Sequence, residues 1–178
     1  MSTYNIIAST DECTVVTEYT STTKRSEAYQ TEAALEGEFI KQIQSQGYDY
    51  INIDNEDALI SNLRIQLEKL NDYHFSDEEW KRFFNEILAS SNDGIVEKTR
   101  KIQQDHVQIL RKDDGPSKNI YLIDKKNIHN NSLQVINQYT AEDGRYKNRY
   151  DVTILVNGLP LVHVELKRRG VEIREAFN

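Results

Sequence analysis

Two apolar runs flank the dipeptide Asn157-Gly158 near the end of this 178-residue chain. Within each run hydrophobic residues alternate with polar ones, which is typical of a β-strand with one face against a core. Glycine accepts a positive φ at low cost and asparagine tolerates it, so the runs are predicted to form a β-hairpin. This hairpin constrains the fold more than any other segment, because its register decides which side chains share a face.

The length of the turn sets the positions of two acidic residues. A two-residue turn would place Asp151 and Glu165 on opposite faces of the sheet, whereas a three-residue loop would place them on one face. With the odd-length loop, one face is apolar and comprises Val152, Ile154, Val156, Pro160, Val162, Val164 and Leu166. The other face is polar and comprises Asp151, Thr153, His163, Glu165, Lys167 and Arg169. We therefore predict the odd-length loop, with a buried face behind a charged one.

The polar face of the hairpin has the residue types of a magnesium site. Two neighbouring carboxylates repel each other unless a cation lies between them. Asp151 and Glu165 offer oxygen ligands of the kind that Mg²⁺ takes beside waters and substrate phosphate oxygens. Lys167, two residues beyond Glu165, could orient or help deprotonate an attacking water and offset negative charge on a phosphate. The alternative is a surface aspartate and an exposed Glu–Lys pair, which would contribute about 0–1 kcal/mol.

A helix predicted over residues 26–46 carries two further acidic candidates. Its apolar stripe takes Tyr29, Ala33, Phe39, Ile40 and Ile43. Glu32 and Glu36 fall inside that stripe, where a carboxylate needs a cation or hydrogen-bond donors. One interpretation is that they support the metal held by the hairpin, with Glu32 ahead of Glu36. The other is that they pair with the helix dipole or with an arginine such as Arg64.

The remaining patterns predict an α/β fold in which helices come first and a largely antiparallel sheet follows. A second helix is predicted over 58–71, and a capping box at 76–79 opens a third helix that runs to about 89. After a short helix to about 102, strands are predicted at 106–110, 119–123 and 133–139, with the 150–167 hairpin completing the sheet. We divide the chain into an arm at 1–25 and a domain at 26–178, whose helical part spans about 26–102 and whose sheet part spans about 104–178.

Composition limits the classes of function. No apolar run approaches the roughly 18 residues of a membrane span, and a single cysteine, Cys13, excludes an internal disulfide and fits the cytoplasm. The formal charge of −7 is unfavourable for a domain that binds DNA alone. Basic residues that could contact a DNA backbone are Lys125, Lys126, Arg149, Arg168 and Arg169; the alternative is that they are solvated turns and strand ends. His163 could touch substrate or a second metal, or be a packed bystander.

Three segments of the hairpin carry a resemblance to a known family. They are Arg149-Tyr-Asp151, Asn157-Gly-Leu-Pro160 and Glu165-Leu-Lys167. Together they resemble the nuclease motif at the N-terminus of the restriction (HsdR) subunit of type I restriction-modification enzymes, a branch of the PD-(D/E)xK nuclease superfamily. The resemblance extends back through 119–127 and the Glu32/Glu36 segment. In place of the proline of the superfamily's name stands Tyr150, and the Gln-x-x-x-Tyr motif that follows the lysine in the family does not occur before Asn178.

The resemblance implies a restriction-endonuclease-like domain that cleaves double-stranded DNA with Mg²⁺. It implies Asp151, Glu165 and the backbone carbonyl of Leu166 as metal ligands, and Lys167 as the catalytic lysine. It also implies partner methyltransferase and specificity subunits, and an ATP-driven motor for which these residues hold no G-x-x-x-x-G-K-[ST] motif. A helical pattern from Val171 is cut off, so we expect a fragment of a longer protein. The alternatives are a repair or junction-resolving nuclease of the same superfamily, and a non-catalytic docking module of a DNA-translocating assembly.

Overall fold

A computed structural model describes residues 4–9, 15–19, 31–143 and 146–167, with side chains for 31–140 and 149–167. The chain divides into two compact units, Met1–Gln30 and Thr31–Asn178. In the first unit, strand β1 (Tyr4–Ser9) pairs antiparallel with β2 (Val15–Tyr19). The second unit holds all the other elements described below. The division into an arm at 1–25 and a nuclease domain at 26–178 stays a prediction.

The first two helices begin at side-chain caps. Helix α1 (Glu32–Gln44) follows Thr31, whose hydroxyl oxygen accepts the Ala34 N–H at 3.2 Å. The helix therefore starts later than predicted, because Thr31 is extended and caps it; residues 26–30 lie outside the described part. Helix α2 (Glu56–Asn71) follows the Asn55 cap and matches the predicted 58–71. Among the described residues, no helix is long and apolar enough to cross a membrane.

A second helical layer packs against a small ribbon. Helix α3 (Asp77–Arg82) opens with the predicted capping box of Ser76 and Glu79, and a π-helical segment, Phe83–Leu88, continues it. Helix α4 (Ile95–Gln103) leads to β4 (Val107–Arg111) and β5 (Ser117–Tyr121), which pair antiparallel. Helices α2 and α3, the π-helical segment and the ribbon share one hydrophobic core, to which the strand after Gly158 contributes Leu159. Its buried residues are Leu63, Leu67, Phe75, Trp80, Phe83, Leu110, Ile120, Leu122 and Leu159. The aromatic stripe of the third helix is therefore core.

The main sheet is mixed and has the order β3-β6-β7-β8. It consists of β3 (Asp49–Tyr50), β6 (Leu133–Asp143), β7 (Tyr146–Val156) and β8 (Leu159–Val164). Strand β3 runs parallel to β6, and the other neighbours are antiparallel. The predicted mixed α/β fold with helices ahead of the sheet is confirmed. The prediction that 106–110 and 119–123 join this sheet was wrong, because β4 and β5 pair only with each other in the described part.

Apolar residues cover both faces of the main sheet. On one face, Val135 and Val152 pack with Ile40 and Ile43 of α1. On the other face, Ile136, Tyr139 and Leu155 form a cluster with Ile53, against which Ala58 and Leu59 of α2 pack. The prediction of a single buried face was therefore wrong: Leu155 and Thr153 are buried on the face predicted to be charged, while Val162 is 45% exposed. The reason is that helices lie on both sides of β7.

Beyond its turn the β7–β8 hairpin has the predicted register, but the turn itself differs from the prediction. Val156 pairs with Leu159, so the turn has two residues, Asn157 and Gly158, with φ of 51° and 80°. The predicted odd-length loop was wrong. The register then shifts by one residue, and Ile154 pairs with Val162. This β-bulge adds the odd residue within β8, beyond the turn, and restores the register that the odd-length loop would have produced.

Candidate active site

Asp151 lies on the central strand β7, where the β6–β7 ladder is irregular. The ladder pairs Asn137 with Val152 and Tyr139 with Tyr150. Between these pairs, Asp151 stands opposite Gln138, which has a φ of 56°. A positive φ is uncommon for a residue other than glycine and tends to occur where a strand is bent or re-aimed. The Asp151 side chain is half-buried at this irregular point.

Glu165, Leu166 and Lys167 follow directly after β8. The pairing of Val152 with Val164 brings the next residues, Asp151 and Glu165, to the same level of the hairpin. The Leu166 N–H donates a hydrogen bond to Asp151 Oδ2 at 2.8 Å. Lys167 Nζ donates to Glu165 Oε1 at 2.6 Å. These two bonds join the strand end to the aspartate and the lysine to the glutamate.

The charges of three carboxylates act on Lys167. The hydrogen bond from Lys167 to Glu165 has the largest effect and raises the pKa of the lysine. Desolvation opposes it, and the negative charges of Glu165, Glu32 and Asp151 each raise the pKa by less. The ammonium group is therefore held in its charged form at neutral pH. Glu32, in the first turn of α1, thus acts electrostatically at the same place as the hairpin carboxylates.

The side chain of Glu36 interacts with different residues from that of Glu32. Its side chain is only 9% exposed, and its Oε1 accepts a hydrogen bond from Asn137 Nδ2 at 2.6 Å. Its Oε2 accepts a hydrogen bond from Gln138 Nε2. Arg64 is not its partner, because that guanidinium donates to Glu68, Asp77 and the Phe75 carbonyl. The amides of β6 satisfy the buried carboxylate of Glu36.

His163 lies on β8, two residues before Glu165, and makes no described hydrogen bond to Asp151 or Glu165. Its Nδ1 lies 2.9 Å from Thr153 Oγ1, and its ring stacks on Tyr150 with centroids 4.0 Å apart. Desolvation lowers the pKa of His163, which favours the neutral ring. Tyr150 thus supports the histidine ring.

The predicted DNA-contacting residues differ in their surroundings. Lys125 Nζ donates to the Gln103 carbonyl, so this lysine links its turn to the end of α4. Lys126 and Arg149 are exposed. Asp124 accepts the backbone N–H groups of Lys126 and Asn127, which order the turn that carries both lysines. Arg168 and Arg169 lie outside the described residues.

The carboxylates of the hairpin fit a hydrated magnesium ion. Within residues 31–143 and 146–167, Asp151 accepts a hydrogen bond only through Oδ2 and Glu165 only through Oε1, so each keeps one oxygen without a described hydrogen bond. In the same ranges, no three His, Cys, Asp or Glu side chains are grouped to hold a metal. Mg²⁺ commonly takes one or two protein carboxylates and fills its shell with water and phosphate oxygens. The donor set suits such an ion.

Two residues beside the site were missed by sequence reasoning. Asn137 and Gln138 connect β6 to Glu36, although residues 133–139 were predicted only as a strand, with no role at the site. Their signal is visible in the sequence: two consecutive polar residues interrupt the apolar alternation of Leu-Gln-Val-Ile-Asn-Gln-Tyr. Such a pair breaks the period-two pattern of a strand and marks a place where the strand is not regular.

Comparison with known protein families identifies the family of this chain. Residues 29–178 match the family model described as the type I restriction enzyme R protein N terminus. The chain belongs to this family. The match includes α1, the main sheet and the Asp151/Glu165/Lys167 set, so the residues that carry the candidate site all lie within the R protein N terminus.

Curated relatives agree with the family. The chain is 48% identical over 173 residues to the type I restriction enzyme EcoprrI endonuclease subunit of Escherichia coli, covering 97% of the chain and 55% of that relative. It is 43% identical over 155 residues to the SsaAORF53P endonuclease subunit of Staphylococcus saprophyticus, and 44% identical over 156 residues to the SauMSSORF170P endonuclease subunit of Staphylococcus aureus. These matches cover 84% and 85% of the chain but only 16% of each staphylococcal relative. The chain thus corresponds to a part of the length of these subunits.

Proposed function

We propose that this chain is the Mg²⁺-dependent endonuclease domain of a type I restriction enzyme, and that it cleaves phosphodiester bonds of double-stranded DNA. The observation that carries the proposal is the register of the β7–β8 hairpin, which brings Asp151 level with Glu165 while Lys167 is bonded to Glu165. Membership of the R protein N terminus family supports it. The partners proposed with it are the methyltransferase and specificity subunits, in the cytoplasm, where the DNA substrate lies.

The proposed ligands of the cation are Asp151, Glu165 and the backbone carbonyl of Leu166. When bound, Mg²⁺ would supply positive charge at the scissile phosphate and acidify a neighbouring water. The hydrogen bond from the Leu166 N–H to Asp151 Oδ2 fixes that carboxylate and leaves Oδ1 for the ion. Glu32 adds negative charge near Lys167 and is proposed to support the site from α1.

Lys167 is proposed to act as a charged donor. A lysine ammonium holds its proton at neutral pH, so Lys167 is poorly suited to act as the base. It would instead orient the attacking water by donating a hydrogen bond. It would also stabilise negative charge on the phosphate as the 3′ oxygen departs.

The proposal is tested by substitution in the assembled enzyme that contains this sequence. Asp151→Ala and Lys167→Ala are each expected to lower the rate of DNA cleavage by about a hundredfold or more. Lys98→Ala, which removes an exposed lysine of α4, is the matched control and should cleave at the wild-type rate. Cleavage by Asp151→Ala at the rate of the control would overturn the proposal.

Metal binding gives a second readout that does not need DNA. Mg²⁺ or Mn²⁺ is titrated calorimetrically into the chain, and Glu165→Ala should abolish the binding that the wild type displays. A non-catalytic docking module that only resembles a nuclease would give no difference between the two proteins.

A further inference from the structure

Strand β6 changes its pattern of side-chain directions opposite Asp151. In a regular strand, residues three apart face opposite sides of the sheet. Ile136 and Tyr139 are three apart and yet belong to the same core cluster. On the facing strand, Tyr150 packs against that cluster while Val152 belongs to the cluster of α1. The pattern therefore reverses on both strands between these residues, at Gln138 and Asp151.

This local arrangement carries a cost in stability. Gln138 has a φ of 56°, which strains a residue that has a Cβ. Its Oε1 is also buried and has no hydrogen-bond partner among the described residues. Buried acceptors are almost always bonded, so an exception needs an explanation. Some other contact has to hold the strand in this conformation.

Glu36 supplies that contact from outside the sheet. Its two carboxylate oxygens accept the side-chain amides of two consecutive residues, Asn137 and Gln138. The Asn137 amide is fixed in turn, because its Oδ1 accepts the Tyr50 hydroxyl at 2.8 Å. Helix α1 is anchored to the sheet beside Glu36 through Ile40 and Ile43. The charged hydrogen bonds are buried, which makes them strong and makes their loss costly.

We propose that Glu36 is a positioning residue for the Asp151/Glu165 site, acting through Asn137 and Gln138. The inference rests on the proposed nuclease function. By holding Gln138 at positive φ, Glu36 maintains the irregular ladder from which Asp151 reaches the Leu166 N–H at 2.8 Å. Without this anchor β6 relaxes toward regular pairing, and the Asp151 carboxylate turns away from Glu165. Glu36 itself contacts neither ion nor DNA.

The main test is Glu36→Gln in the assembled enzyme. The change keeps the size of the side chain but sets an amide against the amides of Asn137 and Gln138. The expected result is a fall of about tenfold to a hundredfold in the single-turnover cleavage rate, together with a higher half-saturating Mg²⁺ concentration. The DNA concentration needed for half-maximal cleavage should stay at its wild-type value, because Glu36 makes no contact with DNA.

The matched control for lost stability is Glu79→Gln. Glu79 is also a buried carboxylate with several hydrogen bonds, but it lies in α3 and links to the β4–β5 ribbon. Glu79→Gln should lower the unfolding temperature as Glu36→Gln does. It should leave the cleavage rate and the Mg²⁺ dependence within about twofold of wild type. Equal cleavage rates and equal Mg²⁺ dependence for the two variants would overturn the inference.

A second pair of variants keeps the test valid if Glu36→Gln does not fold. Gln138→Gly adopts positive φ without strain, whereas Gln138→Leu keeps the strain of a Cβ and has no amide for Glu36 to hold. The glycine variant should cleave at least about fivefold faster than the leucine variant, since misplacing a ligand is more harmful than losing one amide. Equal rates would count against the inference. If Asp151→Ala still cleaves, the nuclease proposal itself fails; if Asp151→Ala is inactive and the Glu36 and Gln138 results are negative, only the positioning role fails.

Discussion

Asn157 and Gly158 form a turn that is built into the core of the domain. The Asn157 side chain is 1% exposed; its Oδ1 accepts the Ser132 N–H, and its Nδ2 donates to the Leu122 carbonyl and to Asn131. A Cβ on Gly158 would lie 2.6 Å from Leu63 Cα of α2. The turn therefore fixes the distance between the hairpin and α2, and the hairpin carries the candidate site.

Gly158→Ala is expected to destabilise the protein strongly. The alanine would be strained at a φ of 80°, and its Cβ would clash with the backbone of Leu63, which cannot move aside as a side chain could. Together these effects should lower the free energy of unfolding by about 2–4 kcal/mol, measured by urea denaturation. Gly37→Ala is the control: Gly37 lies in α1 with nothing within 4 Å, so alanine should be neutral or stabilising. A loss no greater than that of the control would contradict the clash.

The local chemistry of this turn was readable from the sequence, but its packing was not. The dipeptide Asn-Gly predicted a hairpin, and its positive φ values are observed. The bulge in β8 that sets the register leaves no comparable signature, because Pro160 and Leu161 are compatible with several loop lengths. The predicted odd-length loop places the extra residue in the turn, whereas the observed hairpin places it in the β-bulge of β8. Both give the pairing that brings Asp151 level with Glu165, so this register was predictable although the turn was not.

At the scale of elements, Glu79 joins α3 to the β4–β5 ribbon. Its carboxylate accepts the Ser76 N–H at 3.0 Å, the Tyr73 hydroxyl at 2.8 Å and the Asp113 N–H at 3.0 Å. Burial alone would raise the pKa of Glu79, but the bonds from Ser76, Asp113 and Tyr73 outweigh burial and lower it. Desolvation and the contact with Glu79 raise the pKa of Tyr73 to about 12, so the phenol remains a donor to the carboxylate.

This network predicts a dependence of stability on acid. Since the folded-state pKa of Glu79 lies below the ordinary value of 4.5, its contribution is fully present above pH 4.5 and is lost as the pH falls through the lower folded-state pKa. Glu79→Gln should lower the free energy of unfolding near neutral pH and flatten its decline below pH 4.5. Urea denaturation across that range measures both effects. Glu86→Gln, at an exposed glutamate, should follow the wild-type curve, and an equally steep decline in Glu79→Gln would show that other groups cause it.

Helices were predicted better than strand partners. The Ser76–Glu79 capping box and the apolar spacing of α2 are local signals, and the structure has both elements as predicted. Strand β3 has only two residues and is defined by its pairing with β6, so no local sequence pattern predicts it. The ribbon of β4 and β5 stands apart from the main sheet because its buried residues, Leu110 and Ile120, pack against α2 and α3 instead. Pairing between distant segments depends on such packing, which one sequence does not reveal.

The same distinction applies to the two acidic residues of α1. Both were predicted on the apolar stripe of the helix. The structure buries Glu36 with Ile40 and Ile43, whereas Glu32 and Ala33 are exposed, so the prediction was wrong for Glu32. The two residues are one helical turn apart and have different partners. The charge of Glu32 acts on Lys167, while the carboxylate of Glu36 accepts hydrogen bonds from Asn137 and Gln138 of β6. This outcome depends on where α1 crosses the sheet, a property of the assembled elements.

At the scale of the whole molecule, net charge bears on how the proposed nuclease domain would meet DNA. The chain carries a net charge of −7, and the candidate site itself contains three carboxylates that act on a single lysine. A phosphate approaching without a cation would meet net repulsion there. The exposed basic residues near it in the described part, such as Arg149, offset this only locally.

Under the proposed function, the chain alone should therefore bind duplex DNA poorly. Fluorescence anisotropy with a labelled duplex at about 0.15 M salt should give a Kd no tighter than about 10⁻⁵ M, in the range of non-specific electrostatic contacts, and binding should weaken further as salt rises. The assembled enzyme should bind the same duplex much more tightly, and Asp151→Asn should leave that affinity unchanged while stopping cleavage. Submicromolar binding by the chain alone would instead assign DNA capture to this domain, and its basic residues would then be the next to substitute. The distinction matters because a cutting domain with little affinity of its own depends on the assembly to deliver DNA, and this restricts where cleavage occurs.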